Sequence, residues 1–241
     1  MENTALRHPF TAVERNGRLY YGGSQTFSEK ANIRKCGCGP VAALNTLIYL
    51  HRYHTGITLE GFEKLPDDGA VSAELYNELL DRLVHRFLPL IPTRGINAVT
   101  MAAGLDVLFI RHKLPYRVTR CVLSAPLWER AEDMLRRDFP VMFSVGVNFP
   151  DVWGKKRLRL YCKSADGGYF PSGAVKGHYM TMTGLDGEWM YVSSWGRRYY
   201  ISRKEFEEYA KDESVGFLCN ILYIKETLTN SPSASAGQFA P

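Results

Sequence analysis

Between residues 39 and 54, Val41, Leu44, Leu47, Ile48 and Leu50 recur every few positions and lay a broad apolar face along one helix. Pro40 falls in its first turn, where a missing N–H costs nothing. A second helix is predicted over 72–88, with Leu75, Leu79, Leu80 and Leu83 at helical spacing behind Ser72 as N-cap. A third is predicted over 97–112 and a fourth over 127–137, with Ser124 as a candidate cap. Residues 116–122 alternate and are rich in β-formers. Further strands are predicted at 141–147, 157–162, 178–185, 189–194, 198–201 and 216–224, with a short helix at 204–210. Helices first and an antiparallel sheet afterwards make an α+β domain.

Asp186-Gly187 stands between two apolar runs and is a strong two-residue hairpin signal. With those residues at the centre of the turn, Leu185 faces Glu188 and Met180 faces Ser193. Period two then puts His178, Met180, Met182, Tyr191 and Ser193 on one face, with Ser193 diagonally across from His178. Asp186 is expected to serve the turn, at the far end of the hairpin from His178.

With 45% hydrophobic and 23% charged residues, the 241-residue chain suits one domain with a sizeable core, expected over 1–226. Within it, 1–35 reads as an entry arm with a short strand at 18–21 ended by Gly22-Gly23, and 227–241 as a disordered tail. The net charge of +5 is mild and spread out. Its densest run, Lys155-Lys156-Arg157-Leu158-Arg159, reads as a solvated strand or loop face. Neither zinc-finger spacing nor a Gly-rich phosphate loop occurs, so the expectation is no nucleic-acid partner, no metal and no cofactor. No apolar run is long enough to span a membrane and residues 1–22 lack a signal-peptide pattern, which predicts no membrane partner and a cytoplasmic location. Five cysteines, an odd count, are expected to be reduced thiols.

The chemistry concentrates in two segments. Cys38, in Lys35-Cys36-Gly37-Cys38-Gly39-Pro40, lies at the start of the first helix, where the amide dipoles favour a thiolate. His178, in Gly177-His178-Tyr179-Met180, begins a strand and offers an imidazole to take the proton. Cys36 is the rival nucleophile, without the helix at the right offset. Cys121, Cys162 and Cys219 sit in apolar strand-like stretches and read as structural. A metal site from Cys36, Cys38 and His178 is disfavoured by the one-residue cysteine spacing. His51 and His54 come late in the first helix, His85 and His112 in the last turns of theirs, where a cation is favoured, and His8 in the arm.

Together with Ser193-Ser194-Trp195-Gly196, these segments resemble the papain-like cysteine peptidases, and most of all the bacterial branch of double-glycine leader peptidases, in which Cys-Gly-Pro-x-x-Ala is common. The resemblance covers about residues 30 to 210. It implies a papain-like fold, with Cys38 on a helix start in the N-terminal helical half and His178 on the C-terminal antiparallel sheet. It further implies Cys38 as nucleophile, His178 as base, Ser193 where the family has an orienting Asn, and Trp195 covering that pair beside the substrate. The family's oxyanion donor is a Gln before the Cys; here the candidates are Gln25 and Asn32. The expected substrate is a peptide or another amide or acyl compound. The alternatives to a peptidase are an acyltransferase or amide hydrolase, or a non-catalytic peptide-binding module. The oligomeric state is left open.

Overall fold

The computed structural model describes residues 3–54, 57–120, 127–146, 156–213 and 221–227. The expectations for Cys121, Ser124, Lys155, Cys219, the outer ends of three strands and residues 228–241 lie outside them.

The chain opens with β1 (Thr4–Ala5), a hairpin of β2 (Ala12–Arg15) and β3 (Arg18–Tyr21), and two abutting helices, α1 (Ala31–Cys36) and α2 (Cys38–Tyr53). Then come β4 (Val71–Ser72), α3 (Ala73–Arg86), α4 (Ala98–Arg111), β5 (Tyr116–Arg120), α5 (Leu127–Arg136) and β6 (Val141–Val145). The remainder is mostly strand: β7 (Leu158–Lys163), β8 (Tyr169–Val175), β9 (His178–Leu185), β10 (Trp189–Ser194), β11 (Arg197–Ser202), then α6 (Arg203–Glu213) and β12 (Ile221–Glu226). Ser72 accepts the Leu75 N–H at 3.2 Å and Asn97 accepts that of Thr100 at 2.9 Å. Each cap supplies an otherwise unpartnered N–H and is worth about 1 kcal/mol.

The large sheet runs β5-β12-β6-β9-β10-β11-β7-β8, with β1 added against the far end of β9. All eight residues of β9 are buried. α2 packs on β9 and β6 and, on another side, on α3, so every residue from Gly39 to Leu50 is buried. A helix enclosed all round needs apolar residues all round, beyond the one face the periodicity shows. Mixed helices and an antiparallel sheet make this an α+β fold.

The described part of the entry arm is tied to the rest of the fold: β1 joins the large sheet, β2 and β3 pair along their length, and α1 buries Ile33 and Cys36. Six residues of α1 are too few to register a helical period. β8 was not foreseen, because Pro171 and Gly173 argue against a strand. It lies at the edge of the sheet, where a missing ladder N–H is tolerated. The basic run is partly tied down, Lys156 to Asp212 at 3.1 Å and Arg159 to Glu205 at 3.7 Å.

Candidate active site

Gly37 is shared by two helices. Its N–H closes α1 on the Ile33 carbonyl at 2.7 Å, and its own carbonyl receives the Val41 N–H of α2 at 3.0 Å. Cys38 is therefore the first residue of α2, where N–H groups have no partner within the helix. A Cβ on Gly39 would come within 2.5 Å of an Ile96 methyl and 3.3 Å of the Tyr179 ring, so glycine lets this helix start abut β9. The dipoles of a helix start favour a lowered thiol pKa here. Burial acts the other way and is the larger effect. It pushes the Cys38 thiol up, against the N–H groups of Tyr179, Gly39 and Cys38 itself, and the nearby Cys36 adds to the rise. Cys36, Cys38 and Cys162 are all free thiols.

His178 opens β9 opposite Val145 of β6 and is only 8% exposed. Its Nε2 lies 2.7 Å from the Ser194 hydroxyl, leaving Nδ1 as the other ring nitrogen. Trp195 stacks on the imidazole, with centroids 4.5 Å apart and planes 28° from parallel. Burial, with no countercharge, pulls the imidazole down to about 4, so it is neutral at pH 7.

The serine at the imidazole is Ser194 and not Ser193, whose hydroxyl donates to the Tyr21 carbonyl at 2.8 Å. The reason is register. The Asp186 carboxylate accepts the N–H groups of Glu188 and Trp189, at 2.7 and 2.6 Å, and the loop closes as Leu185 opposite Met190, not Glu188. A bulge at Tyr191/Val192 then shifts the ladder again, leaving Ser193 opposite Thr181. The face containing His178 and Met180 thus receives Ser194. A single-residue shift exchanges the two faces.

Trp195 and Gly196 form the two-residue turn between β10 and β11, with Ser194 opposite Arg197. Both have positive φ, 49° and 72°, as a type I′ turn requires. For a bulky residue that conformation costs about 1–2 kcal/mol, and it is what sets the indole over His178.

Of the two amides proposed for the oxyanion, Asn32 is exposed on α1 and does not line the recess at Cys38. Gln25, in the short 3-10 turn Gln25–Phe27, does. Its Nε2 donates to the carbonyls of Arg34 and Lys35, at 3.0 and 3.3 Å, and its Oε1 is buried without a partner. Asn45 was missed. One turn-pair beyond Cys38 on α2, it lines the same recess, and its Oδ1 accepts the Gly23 N–H and the Tyr76 hydroxyl, both at 2.9 Å. An Asn seven residues after the Cys, in an otherwise apolar helix, was the available signal.

Cys38 and His178 line two recesses together. The narrower also holds Gln25, Asn45, Ser194 and Trp195. The wider, about 180 Å³, runs between the 93–97 segment and the β6 end at residues 144–146. This arrangement sets a thiol and a neutral imidazole on the walls of the same recesses. Among the described residues, no three His, Cys, Asp or Glu side chains group as metal ligands, and no helix is long and apolar enough to cross a membrane.

No family model matches the chain, and no curated protein matches it. A crystal structure from Bacillus anthracis, described as a "putative C39-like peptidase", superposes with a TM-score of 0.51 over 94% of this chain and 100% of that one, at 12% identity. At that identity the likeness concerns the fold alone: the chain is similar in fold to that "putative C39-like peptidase".

Proposed function

We propose that the protein is a papain-like cysteine hydrolase acting on peptide bonds. The observation that carries this reading is one constellation. Cys38 at the first residue of α2 and His178 at the first residue of β9 share a recess, with Ser194 on Nε2 and Trp195 stacked over the ring. The Cys38 sulfur attacks the acyl carbon while Nδ1 of the neutral imidazole takes the thiol proton. The backbone N–H groups at the start of α2 stabilise the oxyanion, and Gln25 joins them by releasing one of its two carbonyl partners. The C–N bond breaks, the proton passes from the imidazolium to the leaving amine, and a thioester remains. Water, deprotonated by the same imidazole, hydrolyses the thioester and restores the thiol. Burial favours the neutral thiol and imidazole at rest, so the proton moves during attack.

A second reading, a peptide-binding module without activity, draws on Ser194, whose short uncharged side chain stabilises an imidazolium less than a carboxylate does. The two separate on Cys38→Ala and Cys36→Ala variants treated with an acyl-type electrophilic probe. Hydrolase chemistry requires loss of labelling in the first and retention of most of it in the second. Unchanged labelling of Cys38→Ala removes Cys38 as nucleophile.

A further inference from the structure

The wider recess beside Cys38 has an uneven charge. Lys35 and Arg94 line it, and among the described residues no Asp or Glu lines either recess. Neither cation makes an ion pair with another described residue, although both are exposed and long enough to seek one.

Both are held at the rim by local structure. Lys35 sits in the last turn of α1, one residue before Cys36, and its carbonyl is bonded by Gln25. Arg94 rides on a closed loop in which Ile91 and Gly95 exchange both backbone hydrogen bonds, at 2.8 and 2.9 Å. Gly95 has φ 76°, and a Cβ there would come within 3.1 Å of the Cys36 carbonyl, so the loop is tucked against the end of α1. The opposite wall, Ser144, Val145, Gly146 and Gly177, carries no charge to neutralise the pair.

Building on the hydrolase reading, we infer that this recess selects substrates bearing a carboxylate close to the bond attacked, an Asp or Glu side chain within about three residues of it. An extended chain advances about 3.3 Å per residue, and a side chain that near the scissile bond lies within reach of a Lys or Arg on the rim. Two cations that no described residue compensates raise the local concentration of anionic groups. At the energies of exposed ion pairs, each is worth about a threefold preference, and the two together about tenfold.

The first test compares alkylation of Cys38 by iodoacetate and by iodoacetamide, near-isosteric reagents differing in one negative charge. The ratio of the two rates cancels the thiolate fraction. It should fall about tenfold from wild type to the Lys35→Gln/Arg94→Gln double variant, return in Lys35→Arg/Arg94→Lys, and weaken with added salt. A ratio unchanged by the double variant overturns the inference. The second test pairs Glu and Gln peptides at each of three positions on either side of the scissile bond, with free and amidated C-termini. Faster cleavage of Glu peptides that disappears in the double variant supports the inference. Acceleration by a free C-terminus alone overturns the side-chain assignment. A shifted alkylation ratio with no peptide cleaved keeps the anion selection and rejects the hydrolase reading.

Discussion

The two ends of α2 each lie at a polar group that includes histidine, one gathered around buried Asp138 and one around buried His178, and they are built on opposite principles. At the C-terminal end, Asp138 accepts the Tyr49 hydroxyl at 2.6 Å and the Arg7 N–H at 2.7 Å, and its other oxygen meets His8 Nδ1 at 2.6 Å. His54 Nε2 lies 2.9 Å from its backbone carbonyl, and His8 stacks on Tyr53 at 4.4 Å. Burial pushes the Asp138 carboxyl up, but these donors outweigh it and hold it below the usual range. At the N-terminal end, His178 has one neutral hydroxyl and an indole face, no countercharge, and a pKa carried down to about 4 by burial. A saturated polar cluster ties chain segments together. An undersatisfied one keeps an acceptor available for a proton. Position in the fold alone does not separate them; the count of partners does.

The sharpest break between the two ends should come from paired substitutions. His178→Gln, which fills much of the space of the ring, should lower peptide cleavage or probe labelling by about 10²–10⁴-fold while leaving the unfolding midpoint at pH 7 near wild type. Asp138→Ala should do the reverse. It leaves the buried Tyr49 hydroxyl without its acceptor and releases the Arg7 N–H and His8, for a stability loss of about 3 kcal/mol by urea unfolding. Similar stability losses in both variants would erase the distinction.

Acid should separate them as well. The folded-state pKa of His178 lies below the unfolded 6.5, so the unfolded chain binds that proton first. Its contribution is fully present above pH 6.5 and is lost as pH falls towards 4, roughly 3 kcal/mol in all. The Asp138 carboxyl is shifted below its unfolded 3.8, so its contribution persists above that value and is lost only as pH falls further. Urea midpoints measured from pH 7 to pH 3 should show both windows, and His178→Gln should flatten only the upper one.

Smaller effects test the local geometry. Ser194→Ala should slow turnover about fivefold, the cost of one hydrogen bond to the imidazole. Ser193→Ala should instead cost about 1 kcal/mol of stability, through its bond to Tyr21, with little change in rate. A larger rate effect at Ser193 than at Ser194 would reject the observed register. Trp195→Asn should relieve about 1 kcal/mol of turn strain while uncovering the imidazole, so thermal stability should hold or rise as the His178 pKa moves back towards 6.5.

Much of this was legible from residues alone. The spans 178–185 and 189–194 coincide with β9 and β10, and Cys38 and His178 begin the elements foreseen for them. Such features rest on short-range physics: apolar period, proline in a first turn, a cap at Ser72. Ser194, the idle position of Asn32 and the direction of the Cys38 shift were not legible. The first depends on the length of the turn and on the bulge at Tyr191/Val192, which together set the register of β10 on β9. The second depends on where a six-residue helix lands. The third weighs dipoles against burial, and burial is set by β9, 140 residues away in the chain. The sequence by itself determined which elements form and which chemical groups begin them. Only the tertiary structure decided which groups touch and which lose water, because desolvation and ladder register are properties of segments brought together from far apart.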